Sequence, residues 1–234
     1  MLGVLANSLA VLVGGVIGML CGSKINSKYT DSLMVALGLA TMGMGVVSTV
    51  GTADVLCIIV CCSIGTVIGE LLHIDDGVNA LGRVAERRFA GKNGKGSFTS
   101  AFVSCSILFC IGSMSVMGSV QAGIGDNSIL FAKAVLDLIA SLAYGAALGV
   151  GVPASFVCVL VVEGGLTLLS SAAAPFLTDA IVAEMSAVGG ILLIGLAINL
   201  LNLRQLPIKI ANMLPAVFLP AAYVPLYGWI TSIV

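Results

Sequence analysis

The sequence has few charged residues. Only 9% of its 234 residues are Asp, Glu, Lys or Arg, and the formal net charge is −1. This charged fraction is far below that of soluble globular proteins. Because there is no excess of basic residues, the composition gives no indication of nucleic acid binding. Histidine occurs once. The sequence contains no two-histidine zinc motif, phosphate-binding loop or nucleophile elbow, so we predict neither an enzyme nor a cofactor.

Two further patterns are missing. The first apolar segment has no basic region before it, and its flanking lysines follow it. We therefore expect a retained membrane span rather than a cleaved signal peptide. The apolar runs are continuous, which does not match the alternating strands of a membrane barrel. A helical bundle is the other way to satisfy the backbone inside a bilayer.

The sequence is rich in long apolar segments that can form transmembrane helices. Hydrophobic residues make up 59% of the chain, and the mean hydropathy is +1.17. Eight segments are long enough to cross about 30 Å of hydrocarbon as helices. They cover residues 3–21, 32–50, 54–72, 99–118, 128–150, 153–173, 184–202 and 210–232. The sequence therefore predicts an all-α, polytopic transmembrane bundle of about eight spans.

The one long loop covers residues 73–97. Its first half places apolar residues on one helix face and arginines beside them, which predicts an amphipathic helix on the membrane surface, followed by a glycine- and lysine-rich tether. A regulatory or partner-binding arm is the alternative. The loop divides the chain into a front part, a connecting part and a back part: 1–72, 73–98 and 99–234.

Basic residues are distributed unevenly among the predicted loops. Nine of the ten lie in loops one, three and seven, and the opposite loops hold none. By the positive-inside rule those three loops are cytoplasmic, so both termini face outward. The tenth, Lys133, lies inside the fifth predicted span.

Small residues predict how the helices pack. GGVIG at 14–18 and GTVIG at 65–69 are both GxxxG faces, which favour close helix contact within one bundle or between two copies in a homo-oligomer. The seven cysteines fall inside predicted spans and are interpreted as packing residues. Laying 11–46 over 162–197 suggests an inverted repeat, as in many transporters, but its five identities are about what this composition gives by chance.

Three ionisable residues fall in the middle of the predicted spans. Lys133 and Asp137 are one helical turn apart, and a hairpin near residue 151 brings Glu163 to within about 3 Å of the depth of Asp137. Charges at that depth are functional candidates by default. One interpretation is a coupling site for a cation or proton, and the other is a structural pair that fixes helix register.

Other polar residues are candidate ligands for a solute or ion. The segment 110–128 is rich in glycine, serine and methionine, which is typical of an interrupted helix lining a cavity or of a simple turn between two spans. Its candidates are Ser113, Ser119 and Gln121, and Glu184 opens the seventh span. Asn7 and Asn212 are interpreted as groups that bond across helices.

GELLH at 69–73 contains the Glu-x-x-His spacing of di-iron bundles. Because it occurs once and at a predicted membrane edge, we interpret His73 as an interfacial residue and predict no metal site.

The chain resembles the YqgA/YdfK-type family of bacterial inner-membrane proteins, a domain of unknown function, over nearly its full length. The resemblance lies in Asn7 with the glycines of 14–18, and in four motifs: GE at 69–70, LFCIGSMSVMGSVQAG at 108–123, KAVLD at 133–137 and EMSAVGG at 184–190. It implies a polytopic protein of the bacterial cytoplasmic membrane, often described as a transporter, and it supplies no catalytic residues to carry over to this sequence. It also implies a glutamine near position 163, so Glu163 is a departure and Lys133 with Asp137 is the firmer pair.

These observations favour a transporter or channel-like carrier of a small solute or ion, with membrane lipid as its other partner. The main alternative is a structural or lipid-interacting membrane protein without transport activity. Membrane-embedded chemistry on a lipid is a third, weaker hypothesis.

Overall fold

A computed structural model describes residues 1–22, 27–77, 80, 98–110, 113–123, 125–170 and 177–233. Within these ranges the regular structure is helical throughout, with no strand, which confirms the predicted all-α class. The elements are α1 (Leu2–Gly22), α2 (Ser27–Val50), α3 (Val55–Leu71), α4 (Phe98–Cys110), α5 (Ser113–Gly123), α6 (Ser128–Leu148), α7 (Gly151–Ala154), α8 (Phe156–Leu168), α9 (Asp179–Leu200), the 3-10 helix η1 (Ile210–Phe218) and α10 (Pro220–Ile233).

By length and apolar composition, the described helices provide four to seven candidate membrane spans. Four segments are long and apolar enough by themselves: α1, α6, α7 with α8, and α9. Three bent pairs also qualify if each counts as one span, with bends of 119° between α2 and α3, 62° between α4 and α5, and 42° between η1 and α10. The upper count of seven takes α2 and α3 as one span, and counting the two helices separately, as the sequence-based prediction does, gives eight.

Local sequence accounts for several helix ends. The Asp54 side chain accepts a hydrogen bond from the Leu56 N–H (2.9 Å) and caps the start of α3. After α6, Gly149 has φ 78°, a left-handed conformation that favours glycine, and the chain reverses into α7 and α8. The predicted hairpin near residue 151 is confirmed.

Before α6, hydrogen bonds from the Ser128 hydroxyl and N–H lower the pKa of the exposed Asp126 carboxyl.

Both GxxxG faces pack within the chain. A Cβ on Gly18 of α1 would lie 2.1 Å from the Leu142 carbonyl oxygen of α6, and a Cβ on Gly69 of α3 would lie 1.9 Å from the Asn212 carbonyl oxygen of η1. Neither distance leaves room for a side chain, so glycine is what lets these backbones touch. The predicted close contact is confirmed, and it joins helices of one bundle. A homo-oligomer stays a prediction.

The outer face of the bundle is apolar. On α1 the large side chains Leu5, Leu9 and Ile17 are exposed, whereas Asn7 and Ser8 are buried. This polarity is opposite to that of a helix on a water-soluble protein, whose exposed face is polar. Lipid is the surrounding that such a surface requires.

The helices pack in two groups that cross the sequence order. The first group contains α1 with α6, together with α4, α5, α7 and α8. The second contains α2 with α9 and α3 with η1, together with α10. Each group therefore combines segments from the front and back parts of the chain. The first group contains one bent pair, α4 with α5, and the second contains two, α2 with α3 and η1 with α10.

Some predictions fall outside the described residues or remain untested. The tether and most of the amphipathic helix lie in 78–79 and 81–97, outside the described part. The division into three parts and the inverted repeat stay predictions. All seven cysteines are free, and Cys57, Cys61 and Cys105 are buried in the hydrophobic core, as expected for packing residues.

Candidate functional site: a buried charge cluster beside an interrupted helix

The predicted convergence of three charged side chains is present. On α6 the Lys133 ammonium is hydrogen-bonded to Asp137, one turn further along the same helix. The Lys133 Nζ also lies 3.4 Å from the Oε1 atom of Glu163 on α8. The hairpin between α6 and α8 places both carboxylates at the depth of one ammonium group. Lys133, Asp137 and Glu163 are called the charge cluster below.

A fourth residue, Asn7 of α1, completes this arrangement. Its Nδ2 atom donates to both carboxylate oxygens of Glu163, at 3.0 and 3.1 Å. The close approach of α1 to α6 and α8 makes this contact possible. The Asn7 Oδ1 atom is buried and has no hydrogen-bond partner among the described residues. An acceptor without a donor therefore lies next to the charge cluster, and it costs free energy unless something binds it.

The end of α4 contributes a backbone group. The last carbonyls of a helix have no partner within that helix. Here the Phe109 carbonyl oxygen accepts from Lys133 Nζ at 2.8 Å and from the Ser115 hydroxyl at 2.9 Å. The chain resumes as α5, bent by 62° from α4, and residues 111–112 between them lie outside the described part. The interrupted helix predicted for this segment thus presents its freed carbonyl to the charge cluster.

The cluster is almost sealed from its surroundings. The exposed fraction is 0% for Glu163, 6% for Lys133 and 8% for Asp137. One ammonium faces two carboxylates, so the fully ionised cluster has a charge of −1. An uncompensated charge in such a place costs several kcal/mol, about 3 to 5 kcal/mol when one member of a buried pair is removed.

Glu184 does not belong to the charge cluster and contacts the turn between α2 and α3 instead. From the first turns of α9 its carboxylate accepts from the Thr52 hydroxyl (2.6 Å) and from the N–H groups of Ala53 (2.7 Å) and Asp54 (3.2 Å). These donors belong to the turn between α2 and α3, at the N-terminus of α3, where a helix favours a negative charge. Glu184 thereby fixes the bend between α2 and α3 against α9.

Comparison with known proteins now identifies the family. The sequence profile of a family described as protein of unknown function (DUF554) matches residues 2–225. The chain belongs to the DUF554 family. The uncharacterized protein YqgA of Escherichia coli (strain K12) is 30% identical over 222 residues, covering 93% of this chain and 94% of the relative. The uncharacterized membrane protein YdfK of Bacillus subtilis (strain 168) is 26% identical over 225 residues, 94% of each chain. No solved structure matches.

These relatives confirm the resemblance seen in the sequence and, with the apolar helices, establish the DUF554 chain as a membrane protein. YdfK is described as an uncharacterized membrane protein and YqgA as an uncharacterized protein, so neither relative supplies an activity.

The remaining predicted site residues of this DUF554 chain do not join the charge cluster in the described contacts. Ser119 of α5 is buried, and its carbonyl accepts from the Thr167 hydroxyl of α8 at 3.0 Å. The Gln121 carbonyl accepts from the Asp126 N–H at 3.0 Å, which closes the turn before α6. The Ser113 side chain lies outside the described part. Their binding of a solute stays a prediction.

The Glu-x-x-His segment makes exposed side-chain contacts. Glu70 lies 3.6 Å from Lys209, and His73 lies 3.3 Å from Asp76. Among the described residues there is no group of three or more His, Cys, Asp or Glu side chains that is arranged to hold a metal ion. Asn212 bonds across elements as interpreted from the sequence, since its Oδ1 accepts from the Asp75 N–H at 2.7 Å.

The structure adds two members to the site. Asn7 is interpreted from the sequence as a group that bonds across helices, and it does so, but the sequence did not identify Glu163 as its partner. The Phe109 carbonyl has no side-chain signal at all, and only the interruption predicted near residue 110 pointed to it. Together these groups offer carboxylate, amide and carbonyl oxygens around one ammonium. Such a set can exchange a proton or hold a monovalent cation.

Proposed function

We propose that this protein is a cation-coupled membrane transporter of a small solute, with the charge cluster as its coupling site. The observation that carries the proposal is the contact of one buried lysine with two buried carboxylates. A purely structural pair needs one carboxylate, and the second one gives the cluster a negative charge when all three groups are ionised.

That charge has two ways of being balanced. One carboxyl takes a proton, or a monovalent cation binds beside Asp137 and Glu163, where the unpartnered Asn7 Oδ1 supplies a further oxygen. Either event changes the charge of a group that three helices contact, α1, α6 and α8. A group with two charge states of this kind is what couples an ion gradient to a conformational change.

The surrounding helices support the same function. Transporter sites commonly lie near the midplane of the membrane at discontinuous helices, whose freed backbone groups face the ion or substrate. Asp137 lies near the middle of the 21-residue α6, and the Phe109 carbonyl is such a freed group. The two helix groups, each with a bent pair, provide elements that can move relative to each other.

The finer placement is part of this proposal. We place the chain in the bacterial cytoplasmic membrane, with the basic loops in the cytoplasm and both termini outside. We also propose a carrier rather than an enzyme, with a small solute or ion and membrane lipid as partners and no nucleic acid.

One observation favours the rival interpretation, a structural or lipid-interacting protein. Two cavities lie between the helix groups, and the residues that line them include none of the three members of the charge cluster. In this conformation the cluster is closed off from both cavities. A transporter must therefore have a second conformation in which water reaches Asp137.

The test is to measure that access. In a protein with its seven cysteines replaced, Asp137→Cys is introduced, and its modification by a membrane-impermeant thiol reagent is timed from each side. The matched control is Ala134→Cys on the same helix. We expect modification of position 137 from at least one side. Complete protection in the correctly folded protein would mean that the charges form a sealed structural pair, and the transporter proposal would fail.

A further inference from the structure

We infer that the two cavities form one binding site for an anionic single-chain amphiphile, such as a long-chain fatty acid. Binding itself goes beyond the proposed function. The further statement that this amphiphile is the transported solute rests on the proposed function.

The inner cavity is apolar and lies between the two helix groups. Its volume is 360 Å³, within the range of ligand sites. Its walls come from α4, α5 and α8 on one side and from α9, η1 and α10 on the other, and they include Phe102, Cys158, Val162, Leu166, Leu214 and Phe218. With roughly 30 Å³ for a group the size of a water molecule, it accommodates about a dozen methylene groups, which is one alkyl chain and not two.

This cavity reaches the lipid-facing surface of the protein. Phe218, at the bend between η1 and α10, lines it and is 59% exposed. An occupant that is already dissolved in the bilayer can therefore enter from the side without crossing water. Cavities of this apolar kind stay dry and take apolar ligands.

The second cavity supplies a polar, basic end. It has a volume of 410 Å³ and lies where the loop of residues 201–209 connects α9 with η1. Its lining includes Thr99, Ser104, Asn202, Arg204 and Lys209. The lining carries two cations and one carboxylate, that of Asp75. Lys209 also lies 3.6 Å from Glu70 outside the lining, so Arg204 is the main cation offered to a head group. The loop between α9 and η1 is held by the Asn199 side chain of α9, which makes two hydrogen bonds with the Ile208 backbone, of 2.8 and 2.9 Å.

The two cavities share a wall. Val103, Ile107 and Ala211 line both of them. If these three side chains move aside, an amphiphile whose alkyl chain fills the inner cavity places its head group in the second cavity, beside Arg204 and Lys209. A carboxylate head group complements the two cations, and an ammonium head group does not.

The experiment uses the full-length protein in phosphatidylcholine nanodiscs without an ion gradient. A myristate analogue with a diazirine near the end of its chain is added and irradiated, and the modified peptides are mapped by mass spectrometry. We expect modification of Phe102, Val162 and Leu166 to exceed that of lipid-facing Val135 and Ile139 on α6 by at least about 10-fold. Equal modification of the two sets would overturn the proposal, because the probe would then report only the surrounding lipid.

The head group is tested separately. Arg204→Gln with Lys209→Gln should lower the cavity modification about 10-fold, and the analogous alkyl amine should label the cavity weakly in the native protein. The comparison variant is Glu70→Gln, which removes the exposed partner of Lys209 and changes no cavity-lining residue, so its labelling should equal or exceed that of the native protein. If amine and carboxylate label the cavity equally, or the double variant labels like the comparison variant, the preference for anions is wrong. Because no gradient is applied, failure of the transporter proposal leaves the binding result unaffected.

Discussion

Two glutamates of this chain, Glu163 and Glu184, are both buried away from water, but their carboxylates are stabilised in different ways. Both are nearly inaccessible, at 0% and 4% exposed. Glu184 receives three hydrogen bonds from neutral donors at the N-terminus of α3, so its charge is stabilised where it stands. Glu163 shares a single lysine with Asp137, and its other donor is the amide of Asn7.

The difference shows why burial by itself does not identify a functional carboxylate. Glu184 is satisfied by fixed groups and holds two helices together. Glu163 belongs to a set whose charge is not balanced by its own members. The coupling chemistry is therefore assigned to Glu163 with Lys133 and Asp137, and a structural role is assigned to Glu184. Four variants test this contrast, taken from the largest expected effect to the smallest.

Lys133→Met should have the largest effect, because it leaves two buried carboxylates without a cation. We expect a loss of about 3 to 5 kcal/mol in the free energy of unfolding. It is measured as the thermal loss of the monodisperse protein in detergent by size-exclusion chromatography. The matched control is Lys209→Met, which breaks an exposed pair worth about 0 to 1 kcal/mol. Equal melting of the two variants would mean that the cluster is not buried as described.

Asp137→Asn should remove function and keep the fold. Lys133 and Glu163 then balance each other, so the melting temperature is retained or raised. The charge displaced when proton or sodium concentration is jumped across proteoliposomes, measured on solid-supported membranes, should fall at least about 100-fold, the equivalent of roughly 2.7 kcal/mol. A variant that fails to accumulate as folded protein, or displaces as much charge as the native protein, would contradict the coupling role.

Glu184→Gln should affect stability alone. The amide keeps one acceptor oxygen but turns an NH2 group toward donors, and we expect a loss of about 1 to 2 kcal/mol. The charge displaced per folded molecule in the same concentration jump should be unchanged. If the charge displacement disappears while the melting temperature stays normal, Glu184 belongs with the coupling residues and the contrast with Glu163 breaks.

Glu163→Gln should be the mildest change for stability, below about 1 kcal/mol. Glutamine keeps an oxygen for the Asn7 amide, and the remaining Lys133–Asp137 pair is neutral. The same melting assay checks this, with Glu184→Gln as the comparison. A destabilisation as large as that of Lys133→Met would show that Lys133 and Glu163 are the structural pair and Asp137 the additional carboxylate.

Much of the fold follows from local sequence. The predicted spans match described helices because hydrophobicity and length are properties of a contiguous segment. The hairpin after α6 was predictable from the glycines at 149 and 151, and with it the common depth of Asp137 and Glu163. The bend between α2 and α3 could not be predicted, because it depends on Glu184, which lies about 130 residues away from that turn.

The sequence by itself determined that the chain is a helical membrane protein with three ionisable groups at one depth, since hydropathy and helical rise act along the chain. Only the tertiary structure decided which buried groups are satisfied. Asn7 meets Glu163 across 156 positions, and the Phe109 carbonyl becomes a ligand because α4 ends beside Lys133. In a bilayer a buried polar group is stabilised only by partners inside the protein, and which partners it meets depends on helix packing, which is not a local property of any segment.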